Sequence, residues 1–163
     1  MTKISPNFEL SEFLKSETAM RKGIKEQYTP PKEVVDNLML LAQNIAEPIR
    51  TKFGSFSPTQ GYRCPRLNKL ISKSTKSEHL FGKAFDETFI DASGANISRQ
   101  VFNWILAGGL KKWSKLILEY PDKNGIPRWL HIGYDKDNLN NQVLVVDKEN
   151  PNGINYFTSK YSK

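Results

Sequence analysis

The sequence predicts an α+β fold, and three observations carry that expectation. An apolar repeat at spacings of three and four runs from Val34 through Leu38, Leu41 and Ile45 to Ile49, the pattern of an amphipathic helix. Residues 115–120 and 128–134 alternate apolar side chains and read as two strands joined by a loop containing Asn124-Gly125. Helical and extended segments cluster rather than alternate strictly, which favours α+β over a wound parallel sheet. The length of 163 residues accommodates a single domain, 1–163.

Each element follows from local chemistry. Ser11 is placed to cap a short helix carrying Phe13 and Leu14. Tyr28-Thr29-Pro30-Pro31 breaks the chain, and Thr29 before two prolines is a suitable start for the long helix, since proline is tolerated in a first turn. That helix spans about five turns. Pro48 is expected to kink or end it, and Gly54 to close the segment. Residues 55–62 read as extended. Residues 65–72, with Leu67, Leu70 and Ile71, make one or two helical turns, and 72–77 a polar loop. Residues 83–90 have β character. Ser98 opens a helix carrying Val101, Phe102, Ile105 and Leu106, ended by Gly108-Gly109. Residues 143–146 add an edge strand. The tail, 148–163, is rich in Pro, Gly and Asn and takes no assignment.

Composition narrows the function classes. Apolar residues make up 38% and charged residues 25%, a globular balance rather than a disordered one. The longest apolar runs fall far short of the ~20 residues of a membrane-spanning helix. The opening Met1-Thr2-Lys3-Ile4-Ser5-Pro6 shows no apolar core of a secretory signal. One cysteine, Cys64, precludes an internal disulfide framework and any multi-cysteine zinc site. The net charge of +7 (24 basic, 17 acidic) suits nucleic acid or an acidic polymer such as a bacterial wall, and equally suits plain solubility. No recognisable nucleic-acid module accompanies it, so no nucleic-acid partner is expected.

The chemistry concentrates around the two histidines. His79 lies in Ser77-Glu78-His79-Leu80-Phe81-Gly82-Lys83-Ala84-Phe85-Asp86, and His131 lies within the second strand, in Trp129-Leu130-His131. A catalytic zinc takes three protein ligands and keeps a position for water, a number that His79, Asp86 and His131 would supply. Spacing alone also fits surface or core histidines and a solvated aspartate.

The wider pattern is more specific. Gly61-Tyr62-Arg63, Leu67-Asn68, the string Ser77-x-His79-x-x-Gly82-x-Ala84-x-Asp86 and Trp129-x-His131 together resemble the zinc D-alanyl-D-alanine carboxypeptidases and the related phage peptidoglycan endopeptidases. The resemblance begins near Phe8-Glu9-Leu10-Ser11-Glu12-Phe13 and runs to about Tyr134. It implies a small, hedgehog-like α+β domain whose antiparallel sheet holds one zinc ion. It implies cleavage of amide bonds in peptidoglycan stem peptides, as a D-Ala-D-Ala carboxypeptidase or an L-Ala-D-Glu-type endopeptidase. His79, Asp86 and His131 would then be the zinc ligands. Arg63 would bind substrate or its developing oxyanion, with Ser77 on the substrate side. Trp129 would line the site or pack the sheet. Gly82 would permit a tight turn between ligand-bearing stretches.

The general base needs its own argument. Many relatives carry an acidic residue or histidine three positions before the last ligand, but Arg128 stands there. The other candidate is Glu119. Leu116, Leu118 and Tyr120 share one strand face, and Leu130, Ile132 and Tyr134 share another. If both point into the core, Glu119 and His131 share the opposite face, beside the metal. An Asn124-Gly125 two-residue hairpin would instead pair Glu119 with Leu130, on the wrong face. Six apolar positions outweigh one dipeptide, so an odd-length or irregular loop is expected.

The same residues admit other readings. Cys64 and Gln60 stand where relatives often carry serine. A thiol enzyme at Cys64 would need a histidine that zinc already claims, so Cys64 reads as a small buried side chain. The residue at 128 also suits an inactive zinc-binding scaffold for wall recognition or phage structure. A chain without a visible signal fits a cytoplasmic product, or a phage lysis enzyme that reaches the wall through a separate pore.

Overall fold

The computed structural model describes residues 2–72 and 74–162; Met1, Lys73 and Lys163 lie outside them, and Lys73 takes with it one position of the polar loop. The N-terminal segment forms α1 (Leu10–Phe13) and α2 (Glu17–Arg21). Ser11 does not cap α1. The chain is already helical at Leu10, and Glu9 holds the cap position, its N–H donating to the Glu12 carboxylate at 3.0 Å. Ser16 caps α2 by accepting from the Ala19 N–H at 3.1 Å.

The apolar repeat folds into one continuous helical rod. It comprises α3 (Lys32–Leu41), a π turn at Ala42–Ala46, and α4 (Glu47–Phe53). The rod begins at Pro31 rather than Thr29, because Thr29 and Pro30 each precede a proline and are pushed towards extended backbone. Pro48 does not end it. Proline lacks an N–H and crowds the carbonyl four residues back. The π turn just before it, with the Glu47 N–H reaching back to the Ala42 carbonyl, accommodates the ring. Gly54, at φ 94°, closes the rod. Leu38, Leu41, Ile45 and Ile49 are fully buried along its inner face. The remaining helices are α5 (Pro65–Ile71) and α6 (Ser98–Trp104), and a second π turn carries α6 to Gly108-Gly109.

The sheet has five strands in the order β1-β3-β2-β4-β5. They are β1 (Ala84–Glu87), β2 (Lys115–Glu119), β3 (Trp129–Gly133), β4 (Gln142–Val146) and β5 (Ile154–Asn155). The expected fully antiparallel sheet is corrected at one place: β4 runs parallel to β2, and the other three pairings are antiparallel. β4 is also not an edge. The unassigned tail supplies β5, which pairs beyond it, and a 3-10 turn that buries Tyr156. The β2–β3 connection has odd length, as the apolar faces require: Glu119 pairs with Trp129, leaving residues 120–128 as loop. Asn124-Gly125 lies inside that loop, where the Asp122 carboxylate accepts from the Asn124 and Ile126 N–H groups at 2.8 and 2.9 Å.

Directly paired residues share a sheet face. Phe85, Ile132, Leu116 and Val143 form one buried row, and Leu130, Leu118 and Val145 another. These rows meet the rod and α6 in one core. Phe13 packs edge-on against Phe85 at 6.0 Å and ties the N-terminal segment to the sheet. Among the described residues no helix is long and apolar enough to cross a membrane.

Glu87 ends β1 on the core face, opposite Leu130. It is buried and accepts from the Thr59 hydroxyl at 3.0 Å. Burial pushes its carboxyl up to about 7. A carboxyl raised above its unfolded value favours folding below about pH 4.5, and that contribution is lost as pH rises through about 7. Glu87→Gln is therefore expected to stabilise the protein at pH 8 by on the order of 1–3 kcal/mol and to change little at pH 4.5. Denaturant unfolding of both proteins across that range checks it; a pH-independent difference would contradict the account.

Candidate metal centre

The opposite sheet face carries the polar residues. Asp86 of β1 pairs with His131 of β3, which pairs with Ile117 of β2. His79 comes from a 3-10 turn, Glu78–Phe81, that leads into β1 through Gly82. Gly82 is left-handed, at φ 65°, and a side chain there would strike the Val34 carbonyl at 2.8 Å. The tight turn expected at Gly82 thus brings His79 back over β1 against the rod. Ligand atoms of His79, Asp86 and His131 all lie within 4.8 Å of one another.

The hydrogen bonds show what each ring nitrogen faces. His79 donates from Nδ1 to the Gly61 carbonyl at 2.7 Å, leaving Nε2 towards Asp86 at 3.3 Å. Gly61 lies so close to Phe13 that a Cβ would sit 2.5 Å from the Phe13 carbonyl oxygen. His131 faces Asp86 through Nδ1 at 2.9 Å and Glu78 through Nε2 at 2.9 Å. Two imidazole nitrogens and one carboxylate therefore converge, and each ring's far nitrogen is already engaged. Two histidines and one carboxylate, with their far ring nitrogens held from behind, form a group that could hold a metal ion.

Electrostatics separate the groups. Burial pulls the His79 pKa down, although Asp86 opposes it, so the ring stays neutral and suited to a metal. Burial works against charge on His131, but Asp86 and Glu78 outweigh it and push that ring up to about 9. The same two histidines hold Asp86 far below the usual carboxylate range despite its burial. Glu78 is likewise drawn down to about 2, by His131 and Lys115 against burial.

Glu119 pairs with Trp129 and shares the face of Ile117 and His131, as the strand alternation predicts. Burial, reinforced by the Asp86 charge, pushes its carboxyl up to about 7, against the pull of His131 and Arg63. Arg63 has its N–H bonded to the His79 carbonyl at 3.0 Å, and its Nη2 donates to Ser77 Oγ at 3.3 Å. Burial lowers the pKa of Arg63, with Asp86 and Glu119 opposing. These residues line a cleft of about 540 Å³ with Trp129 and Tyr120 on one wall. Trp129 thus lines this cleft. Its ring packs on Tyr120 at 5.4 Å and carries the Arg128 guanidinium at 5.7 Å, while Arg128 itself is exposed. Cys64 is buried, and its sulfur accepts from the Leu67 N–H at the start of α5.

Three supports were not visible in the sequence reading. Gln27 is fully buried and clamps both sides of Arg63. Its amide donates to the carbonyls of Leu14 and Tyr62 at 3.0 and 2.8 Å, and its oxygen accepts from the Cys64 N–H at 2.9 Å. Glu78 and Lys115 meet at 3.0 Å beside His131. A glutamine 36 positions before the arginine it braces gives no local signal, and Glu78 is an unspecified position within the motif.

A family model, described as Peptidase M15, matches residues 6–112. The chain belongs to the peptidase M15 family. It is a metallopeptidase by that membership, and peptidases of this family are zinc enzymes. The matched stretch includes Arg63, Ser77, His79 and Asp86; Glu119, Trp129 and His131 lie beyond it, and the sheet register brings them to the same cleft. No curated protein and no solved structure matches the chain.

Two outcomes follow from this geometry. Zinc at about a hundred times its dissociation constant is expected to raise the unfolding free energy by roughly 2.7 kcal/mol, reversibly with chelator. His79→Ala should abolish that increment, read by thermal unfolding with and without metal. Gln27→Ala should cost roughly 2–4 kcal/mol in denaturant unfolding, because it strands buried backbone groups around Arg63.

Proposed function

We propose that this M15 metallopeptidase hydrolyses amide bonds in bacterial peptidoglycan stem peptides, with zinc held by His79 Nε2, His131 Nδ1 and the Asp86 carboxylate. The observation that carries the reading is the convergence of those three donors on a cleft floor, with Glu119 on the same sheet face. Zinc, when bound, polarises the scissile carbonyl and acidifies the attacking water. The chain supplies the rest. Glu119 accepts a proton from the attacking water and returns it to the leaving amine; a carboxyl near neutrality is matched to both transfers. Glu78 is a poorer base, since His131 and Lys115 already occupy its carboxylate and hold its pKa low. Arg63, oriented by Ser77, stabilises the negative charge that grows on the carbonyl oxygen. Trp129 and Tyr120 give the stem peptide a wall to lie against. Because Glu119 fills the base position, an acidic residue at 128 is not needed, which favours an enzyme over an inactive wall-binding scaffold.

The test is digestion of purified peptidoglycan, with new termini identified by mass spectrometry. Zinc-loaded protein should release fragments, chelated protein none, and the fragment masses name the bond. Glu119→Gln should slow turnover by roughly 10²- to 10⁴-fold while one zinc still binds per chain. Activity should rise with pH along a limb set by Glu119 ionisation, at or below pH 7, because a nearby bound cation favours the carboxylate. That limb should vanish in the residual activity of the variant. Bound zinc without any cleavage would transfer the reading to the recognition scaffold.

A further inference from the structure

We infer that Glu78 is a positioning residue that decides which nitrogen His131 presents to the metal. The inference rests on the reading of His79, Asp86 and His131 as ligands. An imidazole on a strand can offer either nitrogen, and the choice is made by what the other one bonds. At His79 a backbone carbonyl makes that choice, since Gly61 accepts from Nδ1. At His131 the partner of Nε2 is instead the Glu78 carboxylate, at 2.9 Å. With Nε2–H donated to Glu78, Nδ1 is the nitrogen that faces Asp86 and would be the one available to a metal there.

The surroundings are built to keep Glu78 there. Lys115 reaches the same Oε2 atom at 3.0 Å, so one oxygen is shared by the ring and the ammonium. Gly133, without a side chain, borders the slot. A Cβ at that position would lie 3.2 and 3.4 Å from the two Glu78 oxygens and 3.0 Å from Ser114 Oγ. Lys115, Gly133 and Ala84 form one row across β2, β3 and β1, next to the row of Ile117, His131 and Asp86. Glu78 precedes His79 in the chain, so one 3-10 turn delivers a candidate ligand with one residue and orients the other histidine with its neighbour. A carboxylate behind a ligating histidine fixes the ring and raises its basicity, and loss of such a partner weakens metal binding about 10- to 100-fold.

The experiment measures zinc affinity by competition with a chromophoric chelator, for native protein and the variants Glu78→Ala, Glu78→Gln and Glu78→Ala/Lys115→Met. Glu78→Ala should bind zinc about 10- to 100-fold more weakly. Glu78→Gln, which still offers an acceptor oxygen, should fall between native and alanine. The double variant should remain weak; recovery of native affinity there would assign the loss to the orphaned ammonium and overturn the proposal. Unchanged affinity in Glu78→Ala would also overturn it. A second readout needs no variant. In native protein labelled with ¹⁵N and loaded with ¹¹³Cd, the metal coupling of His131 should appear at Nδ1, with a protonated Nε2; coupling at Nε2 would refute the inference. Failure of native protein to bind zinc or cadmium at all would instead refute the ligand reading beneath it.

Discussion

The site depends on one register. Asp86 stands opposite His131 across β1 and β3, and the same registration continues into β2 at Ile117. Because side chains alternate faces, this pairing also sets Phe85 against Ile132 and Leu116 in the core. A slip of one residue would turn the donors inward and the core residues outward. Core burial therefore stabilises the geometry of the polar face without any contribution from a metal. The cost of misregistering two buried rows protects the distance between two candidate ligands.

Around that register the polar groups are held from behind. The far nitrogen of each histidine is already bonded, one to a backbone carbonyl and one to a carboxylate. Arg63 is braced by its own N–H on the His79 carbonyl and by Gln27 on the residues either side. The two glutamates of the cleft end up with opposite characters. Glu78 is surrounded by cationic partners and stays ionised, which suits support. Glu119 is left to burial and a neighbouring carboxylate, which suits proton transfer near neutrality.

Much of this was legible before folding was considered. The three donors and Arg63 sit in a spaced string of chemically distinctive residue types. The face shared by Glu119 and His131 followed from apolar positions of both strands, against a turn dipeptide that argued for another register. Five of the six are buried as expected, whereas Tyr120 leaves β2 at φ 47°, is exposed and lines the cleft. The dipeptide lost because Asp122 closes a turn within a longer loop, so Asn124-Gly125 never joins the strands directly. The rod was legible too, but not its passage through Pro48, since a proline reads locally as a break and only packing of both halves on one core rewards a π turn over a stop.

The sequence by itself determined the elements whose signal is local or periodic: the amphipathic rod, the alternating strands, the string of candidate ligands and the face of each strand. Tertiary structure alone decided the parallel placement of β4, the pairing of the tail as β5, the clamp of Gln27 and the seat of Glu78 beside Lys115 and Gly133. The division has a physical cause. Alternation and helical spacing are imposed on neighbouring residues by backbone geometry, so they are written in the order of the chain. A buried amide or carboxylate finds its partners only after distant segments have packed, and a polar residue type does not say which distant group will satisfy it.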